Sequence, residues 1–267
     1  MILKFAVGGL WMPGFQPGAG HPKWNYAIVQ ARSHKQDSRM PRTPPSLNDQ
    51  LARFHNAMME RLPECDRAAI RLTHAVANAL VLDHVPRVGD LAPGFTLPDQ
   101  HDRLISLADR LSFGPVVLLF VRGGWCPFCT LTLRAYQEAL PAIYQEGGDL
   151  LAITPQPSPS SYAVAERDLL AFPTLSDLGN SVARRYGIQT QIDPGMRPLH
   201  LRLGHDLPRI NGTGDWTVPL PATFVIAPGG TVALAHVDRV NSRRLEPADI
   251  VQALHAIRTG ALGPAMA

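Results

Sequence analysis

The sequence predicts an α/β sandwich with a mixed central sheet and a helical N-terminal extension, and three observations lead to this prediction. Short apolar runs alternate with segments of helical periodicity from residue 88 onwards. Two apolar runs near the C-terminus flank Gly229-Gly230, which is typical of a β-hairpin. Two amphipathic helical patterns precede all of these runs. Strands that alternate with helices and end in a hairpin favour a sheet with parallel and antiparallel strands.

Size and composition exclude several classes of protein. The chain has 267 residues, of which 45% are hydrophobic, and this is enough for one substantial core. The net charge of +3 argues against a nucleic-acid partner, and no apolar run reaches the 18 residues that would suggest a membrane span. Three cysteines are too few for a disulfide-stapled secreted scaffold. We therefore expect a cytoplasmic protein.

Residues 1–45 differ in composition from the rest of the chain. They are basic, rich in glycine and proline, and without a sustained period of 2 or 3.6 residues. The sequence predicts an irregular extension here, and disorder is one interpretation of it. A second interpretation is that translation starts at Met40.

A helical appendage is predicted over residues 46–84. Ser46 is a candidate N-cap for a first helix, which Pro63 ends. The apolar residues of this helix recur at helical spacing: Leu47, Leu51, Phe54, Met58 and Leu62. A second helix is predicted to bury a similar set: Ile70, Leu72, Ala77, Leu80 and Val81.

The remaining α/β domain is predicted over residues 85–262. "FTLPD" and "LISL" are short strand candidates, and "PVVLLFVR" and "DLLAIT" are apolar enough for strands buried on both faces. The helix after "PVVLLFVR" is predicted to bury one face, and Pro141 is predicted to kink or shorten it. The members of that face are Phe128, Leu131, Ala135, Ala139 and Ile143.

The C-terminal half continues this alternation. "SYAVAERDLLAF" and "NSVARRYG" are predicted helices, with "PTLSD" as a short strand between them. Residues 188–218 have no clear pattern apart from a short helix near "PLHLRLG". "ATFVIAP" and "TVALAHVD" form the predicted hairpin, and "EPADIVQALHAIR" is the last helix.

The candidate site is "GGWCPFCT" at residues 123–130, where a buried strand turns into a helix. Cys126 begins this helix, and because a helix N-terminus stabilises a thiolate, one cysteine there would be activated. Cys129 lies one turn further on, within disulfide reach. Pro127 fits the first helical turn, and Trp125 can cover the sulfur. Such a pair suits reversible two-electron thiol chemistry.

Simpler interpretations remain beside this one. Cys126 and Cys129 could be structural thiols or half of a zinc site, although no second cysteine pair is present to complete one. Trp125 could be ordinary core packing. Cys65 is expected to be an inert core thiol, with a resolving role as the alternative.

The motif resembles that of a known family. "WCPFC" is similar to the W-C-x-x-C of thioredoxin-fold oxidoreductases. The order "APGFTLPD", "GPVVLLFVRGGWCPFC", "LLAITPQ", "FPTLSD" and "LPATFVIAPGGTV" resembles the peroxiredoxin-like branch of the alkyl hydroperoxide reductase/thiol-specific antioxidant family, from about Val88 to Ala256. The resemblance implies a thioredoxin-like three-layer sandwich that reduces hydroperoxides and is recycled by thioredoxin or a similar dithiol.

The resemblance also implies further site residues. Pro221 matches the position of the cis-proline that packs against the cysteine pair, although an ordinary edge-strand proline is the alternative. Thr154, in "TPQ", is expected to line the same pocket. The family arginine near Pro221 is absent, and Arg122 could supply the missing cation or be a solvated strand end. No metal or organic cofactor is implied.

Two family patterns assign opposite roles to the cysteines. The peroxiredoxin motif P-x-x-x-T-x-x-C places the attacking cysteine at Cys129 and replaces its threonine by Cys126. The thioredoxin pattern makes Cys126 the nucleophile and Cys129 the buried partner. The main expectation is a thiol-dependent peroxidase. The alternatives are a protein disulfide reductase and a non-catalytic redox sensor or binding module. A homodimer is one expectation for the oligomeric state.

Overall fold

A computed structural model describes residues 45–261, except for residues 80, 83 and 241. The irregular extension predicted over residues 1–45 therefore lies, apart from its last residue, outside the described residues. None of the helices that the structure describes is both long and apolar enough to cross a membrane.

The centre of the fold is a five-stranded mixed sheet. Its strands are β3 (Val116–Phe120), β4 (Asp149–Thr154), β5 (Thr174–Ser176), β8 (Ala222–Ile226) and β9 (Val232–Val237). They lie in the order β5-β4-β3-β8-β9. Strands β3, β4 and β5 are parallel, whereas β8 is antiparallel to β3, and β9 to β8. The predicted mixed sheet and hairpin are confirmed.

Both faces of the sheet are covered, which explains the continuous apolarity of β3 and β4. Val116, Leu118 and Phe120 belong to a core on one face, whereas Val117 and Leu119 belong to a core on the other. The first core is covered by α3 (Leu107–Leu111), α6 (Ser181–Arg185) and the ribbon of β1 (Thr96–Pro98) and β2 (Leu104–Ser106). The second is covered by α1 (Leu47–Arg61), α4 (Pro127–Gln145), α5 (Ser158–Asp168) and α9 (Pro247–Arg258). This is the predicted three-layer sandwich.

Residues 188–218 contain more regular structure than their sequence pattern indicates. A small ribbon pairs β6 (Gln189–Gln191) with β7 (Thr217–Pro219). Between these strands lie α7 (Arg197–Arg202), which is the short helix predicted near "PLHLRLG", and α8 (Leu207–Ile210). The ribbon lies beside the carboxyl end of β3, because Thr190 and Gln191 line the same cavity as Arg122.

The buried face of α4 differs from the prediction. Phe128 and Ile143 are buried as expected, but the other buried residues of the helix are Cys129, Thr132, Leu133, Tyr136 and Leu140. The polar members can be buried because they have partners. The Thr132 hydroxyl donates to the carbonyl oxygen of Phe128 at 2.8 Å, and that of Tyr136 to the carbonyl oxygen of Leu245 at 3.2 Å.

Pro141 lies inside α4 and does not end it. The helix continues to Gln145, so Pro141 does not shorten it, and the alternative that Pro141 kinks the helix stays a prediction. A proline removes one backbone donor from a helix, and four residues of α4 still follow it.

The second appendage helix, α2 (Glu64–Ala79), is confirmed with a different buried set. Ile70 is buried, but Leu72 is 67% exposed and Val81, beyond the helix, is 76% exposed; Leu80 lies outside the described residues. The prediction that Cys65 is a core thiol is wrong, because it is exposed. Its neighbour Asp66 occupies the buried side instead.

The appendage is tied to the last helix of the chain. The Glu246 carboxylate accepts hydrogen bonds from the backbone N–H groups of Leu47 at 3.0 Å and Asn48 at 2.8 Å. These are orphan donors at the start of α1, where the Ser46 hydroxyl accepts from the N–H of Asp49 as predicted. Leu51 is fully buried against the sheet core. The helical extension is therefore integrated into the domain.

Replacing Glu246 by alanine is expected to lower the free energy of unfolding by about 1–2 kcal/mol, because two helix N–H groups lose their acceptor. Urea denaturation followed by circular dichroism measures this. Glu64→Ala is the control, since this exposed carboxylate pairs with the exposed Arg71 and the partly exposed Arg67 of its own helix. An equal, small effect of both changes would contradict the role of Glu246.

Candidate active site

The segment between β3 and α4, which we call the cysteine loop (residues 121–127), is shaped by close backbone approaches. Gly123 has a φ of +133°, and a Cβ on it would lie 2.6 Å from Oε1 of Gln156 and 2.9 Å from Nε1 of Trp125. The backbone N–H of Gly124 donates to the same Gln156 oxygen at 2.6 Å. Glycine is required at position 123 because any side chain would displace this contact and strain the backbone. Gln156 thereby fixes the turn that presents the cysteines.

The two cysteines occupy different environments at the start of α4. Cys126 is the N-cap residue, is 2% exposed and lines a cavity. Cys129 is fully buried in the helix, and its sulfur accepts a hydrogen bond from the backbone N–H of Arg122 at 3.4 Å. Both are thiols in this structure. Pro127 occupies the first helical turn, as predicted, and is exposed.

The electrostatics of the pair favour a thiolate at Cys126. A hydrogen bond from the Cys129 thiol lowers the pKa of Cys126 to about 6, against the opposing effect of burial, and the positive charges of Arg122 and Arg244 add to the lowering. Burial raises the pKa of Cys129 well above its ordinary value, and its interactions with Cys126 act in the same direction. At neutral pH the negative charge therefore resides on the sulfur that borders the cavity.

Arg122 is brought into the site and is not a solvated strand end. It is largely buried, it lines the cavity with Cys126, and its Nε has no hydrogen-bond partner among the described residues. Burial lowers the pKa of its guanidinium, whereas the two cysteine sulfurs raise it. A guanidinium N–H of this kind beside a thiolate can donate to an oxygen atom that approaches the sulfur.

Trp125 connects the cysteine loop to the 188–218 segment. Its ring contacts His200 and His205, with centroid distances of 5.4 and 5.2 Å. Burial is the main cause that lowers the pKa of His200, to about 4, so this imidazole is neutral at physiological pH. The spacing of the ten histidines in the sequence does not indicate a ligand set. Sequence reasoning missed them because only the folded segment brings them to Trp125.

A cavity of about 250 Å³ lies over Cys126. Four parts of the chain line it: helices α1 and α2, the segment from Thr190 to His205, the cysteine loop with the start of α4, and residues beside β8 and β9, which are Leu220, Arg239 and Val240. Within the described residues, no three or more histidine, cysteine or acidic side chains are grouped to hold a metal ion.

Pro221 and Thr154 are not among the residues that line this cavity. The prediction of a cis-proline at Pro221 is wrong, since no peptide bond of the described residues is cis. Its neighbour Leu220 lines the cavity instead. Thr154 is buried at the end of β4, where its hydroxyl accepts from the backbone N–H of Gln156 at 3.4 Å. The last residue of "TPQ", rather than the first, reaches the cysteine loop.

A second cation, Arg244, acts on the cysteines and was missed by sequence reasoning. Arg244 is 3% exposed, and its Nη1 donates to the Asp238 carboxylate at 2.7 Å. Its backbone exchanges hydrogen bonds with the Asn48 side chain of α1, at 2.9 and 2.8 Å. Its charge favours the thiolate form of both cysteines. Only its place in an arginine-rich run after β9 could have drawn attention to it.

Relatives of known family match the central part of the chain. A model of the AhpC/TSA family matches residues 88–235. Peroxiredoxin Q, chloroplastic, of Triticum aestivum is 30% identical over 118 residues, which are 44% of this chain and 54% of the wheat protein. Peroxiredoxin Bcp of Escherichia coli K12 is 29% identical over 102 residues, which are 38% of this chain and 65% of that protein. The chain thus spans about half to two thirds of these relatives.

Solved structures agree on the fold. Peroxidoxin BcpB of Mycobacterium tuberculosis superimposes with a TM-score of 0.51 and 23% identity, and covers 64% of this chain and 97% of its own. A mutant of peroxiredoxin 6 of Arenicola marina has the same TM-score at 16% identity, and covers 66% of this chain and 75% of its own. The strand order and this likeness identify a peroxiredoxin-like thioredoxin fold. Since the family model matches more than half of its residues, the chain belongs to the AhpC/TSA family.

Proposed function

We propose that this protein is a thiol-dependent peroxidase that reduces hydroperoxides through Cys126 and Cys129 and is recycled by thioredoxin or a similar dithiol. The observation that carries the proposal is the combination of a low-pKa thiol and a partly buried arginine in one cavity, at Cys126 and Arg122. Membership of a thiol peroxidase family supports the reaction class.

The proposed reaction needs only the two cysteines, the hydroperoxide and an external dithiol. The Cys126 thiolate attacks the terminal oxygen of the hydroperoxide, the O–O bond breaks, and the alkoxide leaves and takes up a proton to become an alcohol or water. Cys126 is then a sulfenic acid. The Cys129 sulfur attacks it, a disulfide forms, and water leaves. An external dithiol returns two electrons and two protons to the pair.

Three features favour Cys126 over Cys129 as the attacking sulfur. Cys126 borders the cavity, whereas Cys129 is fully buried. The pKa of Cys126 is lowered and that of Cys129 is raised. Arg122 can donate to the peroxide oxygen and so replaces the family arginine that is missing near Pro221. The site thus follows the thioredoxin order of roles, and Cys129 becomes the resolving sulfur.

The direct test is hydroperoxide consumption with thioredoxin, thioredoxin reductase and NADPH. The proposal predicts saturable turnover, and intact mass after one equivalent of peroxide should fall by two hydrogens as the Cys126–Cys129 disulfide forms. A chain that consumes no hydroperoxide with any dithiol would exclude the peroxidase.

The pH profile of Cys126 alkylation provides an independent prediction. The rate with iodoacetamide should rise with pH and be half-maximal near pH 6, because the thiolate reacts and the pKa of Cys126 is about 6. Arg122→Met should move the midpoint up by about one pH unit, since a neighbouring positive charge is lost. Arg243→Met, at an exposed arginine, is the control. A midpoint near pH 9 in the wild type, the ordinary value for a thiol, would contradict the assignment.

A protein disulfide reductase is the second candidate, and a specific observation favours it. Cys126 at the N-cap with a buried, high-pKa Cys129 is the arrangement that suits attack on a disulfide. Reduction of insulin disulfides at rates above peroxide turnover would support this alternative over the peroxidase.

A further inference from the structure

One wall of the cavity over Cys126 is built by a part of the chain outside the family domain. The family match begins at residue 88, and both α1 and α2 precede it. His55 and Met58 of α1 and Ile70 and Ala77 of α2 all line the cavity. The two appendage helices therefore form one wall of the space in which the thiol reacts. We call this space the chamber.

The appendage wall is fixed to the opposite wall. Asp66 of α2 is buried and accepts a hydrogen bond from Nη2 of Arg202 of α7 at 2.5 Å. Asn48 of α1 is bonded to the backbone of Arg244, and Glu246 holds the start of the same helix. These contacts join the appendage to elements far away in sequence. The chamber is thus built jointly by the appendage and the α/β domain.

The chamber is larger than hydrogen peroxide requires. Its volume is about 250 Å³, whereas one water molecule occupies roughly 30 Å³ of the liquid. A hydrogen peroxide molecule would leave most of it to ordered water. The chamber is slightly smaller than the pockets of roughly 300–1,000 Å³ that hold drug-sized ligands. Its size therefore suits a compact organic molecule.

The lining of the chamber is mainly apolar away from Arg122. Met58, Ile70 and Leu199 face it from three different elements. His200 lines it as a neutral ring, because burial lowers its pKa to about 4. An apolar space of this kind gains free energy by enclosing an apolar molecule. The groups of the chamber that suit the O–O bond, Cys126 and Arg122, lie together on the cysteine loop.

We propose that α1 and α2, which precede the family match, select the hydroperoxide by size: their residues contact the apolar body of an organic hydroperoxide of about the size of cumene hydroperoxide. The proposal rests on the proposed peroxidase function. The hydroperoxide group lies at Cys126 and Arg122 while the hydrocarbon contacts the appendage wall. The thiolate takes the terminal oxygen, and the alcohol formed by O–O cleavage leaves from the same chamber.

The first test fills the chamber from α2. Ala77→Phe is expected to lower the ratio of kcat/KM for cumene hydroperoxide to that for hydrogen peroxide by about tenfold, because the added ring occupies space that the substrate body needs. Ala75→Phe places the same ring on an exposed position of the same helix that does not line the chamber. This control should leave the ratio unchanged. An equal ratio in wild type and both variants overturns the proposal.

The second test enlarges the chamber from α1 and does not depend on whether Ala77→Phe folds. Met58→Ala should raise the ratio of kcat/KM for linoleic acid hydroperoxide to that for cumene hydroperoxide by about tenfold. Met59→Ala removes the same atoms from a residue that does not line the chamber. A change of the same size in both variants would show that the helix affects the reaction only through general stability, and would overturn the proposal.

A binding measurement separates the chamber from the peroxidase reaction. Isothermal titration calorimetry with 2-phenyl-2-propanol, the alcohol that cumene hydroperoxide yields, needs no turnover. Wild type and Ala75→Phe should bind it equally, and Ala77→Phe about tenfold more weakly. If this alcohol binds as expected but no hydroperoxide is consumed, the peroxidase fails and the chamber stands. If wild type does not bind it, the chamber proposal fails.

Discussion

Replacing Cys126 by serine is expected to abolish hydroperoxide reduction, with a loss of at least about 1,000-fold in kcat/KM. A serine hydroxyl stays protonated where the thiol has a pKa of about 6, so the nucleophile is lost. Stopped-flow measurement of a single turnover, with sulfenic acid trapped by dimedone and located by mass spectrometry, checks this result.

Cys129→Ser gives the complementary result. The variant keeps a hydroxyl that can donate to the Cys126 sulfur, so one equivalent of hydroperoxide should still be consumed and sulfenic acid should accumulate on Cys126. Repeated turnover with thioredoxin should fall, because the resolving sulfur is gone. Cys65→Ser, at an exposed cysteine of α2, is the control and should behave as wild type.

The opposite result for the two serine variants would reverse the roles of the two cysteines. If Cys126→Ser keeps the single turnover and Cys129→Ser loses it, the peroxiredoxin motif assigns the roles correctly. The hydroperoxide would then have to reach a sulfur that is fully buried in this structure. Loss of sulfenic acid from both variants, with no turnover in the wild type, would leave the disulfide reductase as the better account.

Replacing Asp238 by alanine is expected to lower the free energy of unfolding by about 3–5 kcal/mol, because it leaves Arg244 buried without this counter-charge. The side chains of Asp238 and Arg244 are 5% and 2% exposed. The Asp238 carboxylate also accepts from the backbone N–H groups of Val240 at 3.0 Å and Arg243 at 2.6 Å. Urea denaturation measures the loss.

Comparison with Glu64→Ala separates the effect of leaving a buried charge unpaired from the effect of losing an ion pair at the surface. Glu64→Ala also removes one carboxylate from arginine partners, but Glu64 and Arg71 are exposed, Arg67 is partly exposed, and such pairing contributes little. Asp238→Asn keeps the shape and one acceptor, and should be intermediate. A loss no larger for Asp238→Ala than for Glu64→Ala would contradict the structural role of the buried pair.

The sequence predicted the central sheet well because local patterns specify it. Continuous apolarity over Val116–Phe120 and Asp149–Thr154 indicates burial on both faces, and the Gly229-Gly230 pair marks the hairpin. It predicted the face of α4 less well, since Tyr136 and Thr132 are buried through hydrogen bonds to partners. An apolar pattern carries no information about such partners.

For the candidate site, the sequence alone determined the motif and its place in the fold. The local pattern is a buried strand, then two glycines, then Cys126 and a helix that begins at Pro127. This pattern places a thiol at a helix N-terminus. The same local information could not place Pro221 or Thr154. Whether the two side chains reach the thiol depends on how their strands lie against the cysteine loop. For Thr154 it also depends on the neighbour to which its hydroxyl is bonded.

Only the tertiary structure decided which sulfur borders a cavity and what surrounds it. Arg122, Arg244 and His200 lie in three separate parts of the sequence, and folding brings their charge or burial to bear on the same site. Electrostatic and desolvation effects depend on distance in space, whereas a motif records only distance along the chain. For this reason the motif identified the cysteine pair, and the folded chain distinguished its members and placed only Cys126 at the chamber.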